Sequence, residues 1–278
     1  MTYNHSHEAF SQAARWLQSS QRIVAFTGAG ISAESGIPTF RDSDGFWREF
    51  PPEQFAHWRG LIRTAFTDPV RLAAFVHAVI EPLGTAKPNA GHQALRVLEQ
   101  HRKLIVVTQN IDGLHQAAGN ECVQEIHGSL TEIALLSGKR QRTLAAAQVS
   151  QIAARLGHIK RRPLALVRML FAIRPMLGAG LRGVWRPNVI LFGEGLAEPA
   201  WSNAVTAAEN CDCLLTIGTS GMVYPAAMLP AKAAASGAKV IHIDPTEGGT
   251  GLWLCGKAGD VLPPLIRAAF DDDMKGAN

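Results

Sequence analysis

Asn110, Asp112 and His127 are the side chains best placed to do chemistry, and Gly28 and Gly30 mark the place best suited to hold a phosphate. Asn110 and Asp112 stand in Thr108-Gln109-Asn110-Ile111-Asp112-Gly113-Leu114-His115, directly after the apolar run Leu104–Val107. An amide and a carboxylate at the end of a buried strand can position a polar substrate; N-x-D-G in that place is also good turn chemistry. His127 lies in Glu125-Ile126-His127-Gly128-Ser129-Leu130. An imidazole with an unperturbed pKa of about 6.5 accepts protons near neutral pH, although a hydrogen-bonded histidine at a strand end reads the same way. Gly28, Gly30 and Ala33 follow the apolar run Ile23–Phe26 with the G-x-G-x-x-G/A spacing. Without a Cβ in the way, backbone N–H groups can approach a pyrophosphate closely. A redox dinucleotide fold would add a second strand ending in an acid about 20 residues on. Here Pro38–Trp47 is polar and turn-rich instead, with Phe40 and Arg41. The loop suits a dinucleotide but departs from the dehydrogenase plan.

These residues need a scaffold. Short apolar runs at 23–26, 104–108, 123–127, 189–192, 213–217 and 240–243 read as strands. Helical patterns fall at 8–19, after an Asn89 cap, at 199–208 and at 226–236 before Gly237. Such alternation predicts a parallel sheet covered on both faces. Residues 41–87 and 132–186 interrupt it.

Five segments, GAGIS…SGIPTFR, TQNIDGLH, HGSL, RPNVILFGE and GTS, occur in this order. As a set they resemble the sirtuin family of NAD-dependent protein-lysine deacylases, over somewhat more than half the chain. The resemblance implies an α/β fold, a Rossmann-like doubly wound parallel sheet with a smaller inserted helical domain. Residues 1–40, 88–131 and 187–278 would form the NAD-binding domain, and 41–87 with 132–186 the inserted one, with NAD and substrate meeting in the cleft. It also implies roles. Gln109, Asn110 and Asp112 would contact the reactive ribose and nicotinamide, and His127 would take a ribose hydroxyl proton. Gly28, Ala29, Gly30 and Ile31 would line the nicotinamide and phosphate region, with Phe40 over the nicotinamide and Arg41 on the phosphates. Gly218, Thr219, Ser220, Asp244, Gly256, Lys257 and Ala258 would follow the rest of the dinucleotide. Phe192, Gly193, Glu194, Gly195 and Val223 would flank an extended acyl-lysine peptide. His115 is assigned to packing.

The chain departs from the family in three places. Sirtuins usually hold structural zinc through two cysteine pairs in the second insertion, yet no cysteine lies between Cys122 and Cys211, and His158 is the lone histidine of 132–186. No zinc is expected; a hydrophobic helical unit over 144–173 would replace it. In the branch that removes acidic acyl groups, a Tyr and an Arg clamp the acyl carboxylate; Val76 and Val79 stand there, so a neutral acyl group fits better. Leu191 replaces the commoner Trp.

The net charge is a modest +4, but residues 133–193 hold eleven Lys and Arg and no acid. This basic block, 139–186, could face solvent, nucleic acid or an anionic surface. Such composition also arises when GC-rich DNA is read out of frame, and two compensating frameshifts would leave family sequence on both sides. Four cysteines make no disulfide framework, no run is long enough to span a bilayer and no apolar signal core opens the chain, so a cytoplasmic protein with no membrane partner is expected. Two other functions stay open: an NAD hydrolase or ADP-ribosyltransferase on the same scaffold, and an inactive NAD- or nucleic-acid-binding module.

Overall fold

The computed structural model describes residues 7–39, 46–136, 140–160, 164–180, 183–249 and 251–270. Its strands, in chain order, are β1 (Arg22–Thr27), β2 (Lys103–Thr108), β3 (Val123–Glu125), β4 (Gly128–Leu135), β5 (Arg140–Thr143), β6 (Gly178–Gly180), β7 (Gly183–Val189), β8 (Cys213–Ile217), β9 (Lys239–Asp244) and β10 (Leu252–Cys255). The chain divides into two compact units, 1–35 with 87–126 and 197–278, and 36–86 with 127–196.

The first unit is a parallel sheet ordered β10-β9-β8-β1-β2-β3. Numbered within the unit, that is the doubly wound order 3-2-1-4-5-6, which reverses between β1 and β8. Both strands are buried from Ile23 to Thr27 and from Cys213 to Ile217, which explains why they read as unbroken apolar runs rather than alternating ones. Alternate side chains of one face, Ile23, Ala25, Leu215, Ile217 and Ile241 among them, pack with Leu17, Leu95, Leu98, Leu262 and Leu265. Those leucines come from helices His7–Ser19, Ala90–His101 and Ala258–Phe270. Asn89 caps the second of these, accepting from Gly91 and His92 N–H at 2.9 and 3.3 Å. Cys211 and Cys213 are packing residues: burial pushes their thiols up to about 11 and about 12, far from a reactive thiolate. Two sequence expectations need adjustment. The strand at 123–127 stops at Glu125, and β10 appears where no pattern announced it, because its four residues are too few to show a period.

The second unit has the expected helices and a small sheet as well. It contains an antiparallel sheet ordered β5-β4-β7-β6 beside helices Trp58–Thr67, Pro69–Thr85, Ala146–Gly157 and Ala165–Ile173. The run expected as a strand at 189–192 is the tail of β7 and the loop beyond it. Glycine, arginine and proline dominate β6 and β7, so their strand character was hidden. Pairing works because Gly178 sits opposite Trp185, and the indole occupies the room that a Cβ on Gly178 would take. Phe46, Phe50, Phe55 and Phe75 form an aromatic cluster with ring centroids 4.7–5.7 Å apart. Of the expected hydrophobic unit at 144–173, Leu144, Val149, Ile152, Leu156, Ile159 and Met169 are buried. Leu164, Val167, Leu170 and Phe171 are exposed.

Candidate active site

In open α/β sheets a dinucleotide binds at the carboxyl ends of the strands where the order reverses. Here that point joins Thr27, at the end of β1, to Ile217, at the end of β8. The two following loops interlock through their backbones. Gly28 N–H donates to the Ile217 carbonyl at 3.0 Å, and Gly30 N–H to the Gly218 carbonyl at 2.9 Å. A Cβ on Gly28 would stand 2.7 Å from the Gly218 oxygen, one on Gly30 2.6 Å from the Gly218 Cα, and one on Gly218 2.5 Å from the Ile31 nitrogen. Gly218 also has φ +58°. Three glycines are therefore required by contact, and Gly218 by its backbone region as well. The loop then runs through two single 3₁₀ turns, Ala29–Ile31 and Ala33–Ser35, rather than into the long helix of a dehydrogenase.

The end of β2 adds the polar groups. Asn110 Nδ2 donates to the Gly28 carbonyl and to Ser32 Oγ, both at 3.1 Å. Ser32 Oγ donates to Asp112 Oδ2 at 2.7 Å, and Leu114 N–H to Asp112 Oδ1 at 2.9 Å. Burial pushes the Asp112 carboxyl up, and these two donors pull against it. Gln109 Nε2 donates to Thr219 Oγ1 at 2.8 Å. The structure thus brings Gly28, Ala29, Gly30, Ile31, Gln109, Asn110, Asp112, Gly218 and Thr219 together at one strand-end crevice, with exposed Ser220 beside it.

Ser32 was missed by sequence reasoning although it is fully buried and joins Asn110 to Asp112. A hydroxyl directly after the apolar Ile31 is too ordinary a pattern to have singled it out. Asn89, expected as a helix cap, does more. Its Nδ2 also donates to the Ile31 carbonyl at 2.7 Å and Ser35 Oγ at 3.0 Å, pinning the loop. Glu34 takes Gly259 N–H at 3.0 Å at the start of helix Ala258–Phe270.

Further along the same sheet, Asp244 ends β9. It is buried, and its Oδ1 accepts from Thr246 N–H at 3.0 Å. Gly256 N–H meets the Asp244 carbonyl at 3.3 Å; Lys257 is exposed and Ala258 buried. Val223, half-buried, follows the β8 loop. Behind the site, His115 Nε2 lies 3.0 Å from Thr27 Oγ1 and its ring packs 4.9 Å from that of His92. Burial pushes His92 down to about 4 and His115 to about 3, so both are neutral, structural imidazoles.

The remaining candidates belong to the second unit. His127 precedes β4; its carbonyl accepts from Ile190 N–H at 2.9 Å. Gly128 has φ +73°, and the Asn188 carbonyl fills the place of its Cβ, so the backbone after His127 is fixed. The loop Phe192–Gly195 is braced on one side. Phe192 N–H donates to Ala56 at 3.0 Å and its carbonyl meets His57 Nδ1 at 2.7 Å. The Glu194 carboxylate accepts from Leu191 N–H at 2.9 Å, Trp58 Nε1 at 3.1 Å and Arg186 at 2.7 Å. Burial opposes its ionisation, but these donors hold it below the ordinary carboxylate range. Glu194 is thus engaged within its own unit, while Phe192, Gly193 and Gly195 are exposed. Phe40 and Arg41 lie outside the described residues. Among the described residues no three His, Cys, Asp or Glu side chains gather as a metal-ligand set. The second unit's sequence holds no cysteine, the donor of the usual paired-cysteine zinc module.

A family model described as the Sir2 family matches residues 28–225. A protein of Desulfosudis oleivorans named NAD-dependent protein deacylase is 39% identical over 271 residues, 93% of this chain and 95% of its own. NAD-dependent protein deacylase 1 of Pseudomonas aeruginosa is 38% identical over 262 residues, covering 91% and 96%. Among solved structures, a Sir2 homologue in complex with NAD superposes with a TM-score of 0.75 at 30% identity, covering 98% of this chain and 97% of its own. A Sir2-type protein bound to a myristoylated histone peptide gives 0.70 at 29% identity, covering 96% and 99%.

Proposed function

The chain belongs to the Sir2 family, and from that premise we propose that it removes acyl groups from protein lysine at the expense of NAD, releasing nicotinamide and O-acyl-ADP-ribose. The observation that carries this reading is the interlocked Gly28–Gly30–Gly218 crevice with Asn110, Ser32 and Asp112 at its end. Gly28 to Ile31, Gly218, Thr219 and Ser220 hold the nicotinamide–ribose–phosphate part of NAD. Asp244, Gly256, Lys257 and Ala258 flank its adenosine, Asp244 through the turn that its carboxylate fixes. Phe40 and Arg41 complete the nicotinamide and phosphate contacts. The unit with the parallel sheet is the NAD-binding domain, and the other supplies His127 and the peptide loop.

Breaking the bond between nicotinamide and ribose develops positive charge at C1′. Asn110 and Gln109 orient the ribose, and Asp112 stabilises the developing charge. The acyl-lysine carbonyl oxygen attacks C1′ as nicotinamide leaves. His127 then takes the proton of a ribose hydroxyl, and that oxygen adds to the acyl carbon. Phe192, Gly193, Glu194, Gly195 and Val223 contact the peptide, which is extended and held through backbone pairing. Val76 and Val79, both half-buried on helix Pro69–Thr85, favour acetyl or another neutral acyl group. The enzyme works without zinc. Four cysteines with no disulfide among them suit a cytoplasmic, reducing setting.

Two substitutions separate the steps. His127→Ala should lower acyl-lysine turnover by about 10²–10⁴-fold while exchange of labelled nicotinamide into NAD survives. Asn110→Ala should lower exchange and turnover together. Undiminished deacylation by His127→Ala would remove this histidine from the mechanism.

A further inference from the structure

The helix Ala165–Ile173 is apolar on both sides. Ala165, Met169, Ala172 and Ile173 are buried in the second unit, but Leu164, Val167, Leu170 and Phe171 are 65, 61, 51 and 59% exposed. Positions 164, 167 and 171, with 170 beside them, share one helix face. Arg168 and Arg174 fall on that face too, both exposed, and the Arg174 guanidinium lies 4.7 Å from the centroid of the Phe171 ring. Leu164 holds φ +61°, a region that costs a bulky side chain energy, and still projects into solvent. Single exposed apolar residues are ordinary; four on one helix are a patch that needs a partner.

The charge of this part of the chain, with Arg168 and Arg174 on the face itself, limits that partner. The helix sits inside the stretch 133–193, with eleven Lys and Arg and no acid. An anionic partner is required, and it must also accept aliphatic and aromatic side chains. A nucleic acid would engage the arginines but leave Leu164, Val167, Leu170 and Phe171 wet. A second copy would set arginine against arginine across a two-fold axis. A bilayer rich in anionic phospholipid meets both demands, with phosphate headgroups for Arg168 and Arg174 and the acyl boundary for the apolar residues between them. We propose that this helix face docks the protein on an anionic phospholipid surface. The attachment is peripheral: no described helix is long and apolar enough to cross a membrane.

Flotation of the full-length protein with vesicles tests this. One vesicle set is phosphatidylcholine alone; the other carries phosphatidylglycerol as well. The protein should float with the anionic vesicles and not with the neutral ones, and should be released as salt rises. Arg168→Gln with Arg174→Gln should weaken binding about tenfold or more, since each basic residue near an anionic leaflet contributes about 1 kcal/mol. Val167→Asp with Phe171→Asp should abolish it, with far-UV circular dichroism and the melting curve checking the fold. If the aspartate pair does not fold, the arginine pair alone decides. Equal flotation of wild type and variants, or no flotation of wild type, overturns the proposal. It is equally overturned if the protein binds duplex DNA and not vesicles, or if light scattering shows a dimer that the aspartate pair dissolves.

Discussion

His115 and His92 show how a motif residue can be structural. His115 stands three residues after Asp112, yet its ring is buried against Thr27 and His92. A neutral imidazole in such a place must be charged when the chain unfolds in acid. Both histidines have folded pKa values below their unfolded ones, so stability is full above about pH 6.5 and falls as pH drops toward 4 for His92 and 3 for His115. At pH 5 each costs up to about 2 kcal/mol. Thermal melts between pH 7 and pH 5 should show this loss, and His115→Gln should lose roughly half as much as wild type. A pH-independent melting temperature would contradict it. The motif gave His115 its position in the sequence, and only the packing around it decided its role. Ser32 is the converse. Nothing in its spacing separates it from an ordinary loop serine, because its importance lies in reaching Asn110 and Asp112 from a distant part of the chain.

At the scale of elements, the crevice depends on two loops that approach without side chains. Gly218→Ala combines a left-handed φ with a Cβ 2.5 Å from the Ile31 nitrogen. It should destabilise the fold by about 1–3 kcal/mol and weaken NAD binding by tenfold or more. Gly36→Ala, at φ +83° with open space around its Cβ position, provides the control: backbone strain without the collision. If calorimetry gives the two variants the same NAD affinity, the close approach is not what forms the site. The central parallel strands β1, β2, β8 and β9 were legible because burial makes them continuous apolar runs. The strands β6 and β7 were not, because Gly178, Gly180 and Arg186 break any period. Their pairing rests on Trp185 reaching across to Gly178, which no local pattern records.

For the whole molecule, the departure from the family lies in the second unit. Helices Pro69–Thr85 and Ala146–Gly157 pack together there, with Val149, Ile152 and Leu156 buried. We expect this apolar packing, rather than a metal, to hold the unit together. Treatment with a chelator should leave the melting temperature and the activity unchanged, whereas a structural zinc module would lose on the order of ten kcal/mol of binding free energy. Metal analysis giving one zinc per chain would contradict this. Sequencing the gene in its other two frames checks the same segment independently, since recovered cysteine pairs would mark it as a frameshift product.

The central claim is that NAD cleavage here is coupled to an acyl-lysine. Its most direct measurement is nicotinamide release by the wild-type protein with NAD, in the presence and absence of an acetyl-lysine peptide. Release that requires the peptide and matches the free lysine formed, mole for mole, is the result predicted. Release at the same rate without peptide would make the protein an NAD hydrolase, and no release in either case would leave a binding module.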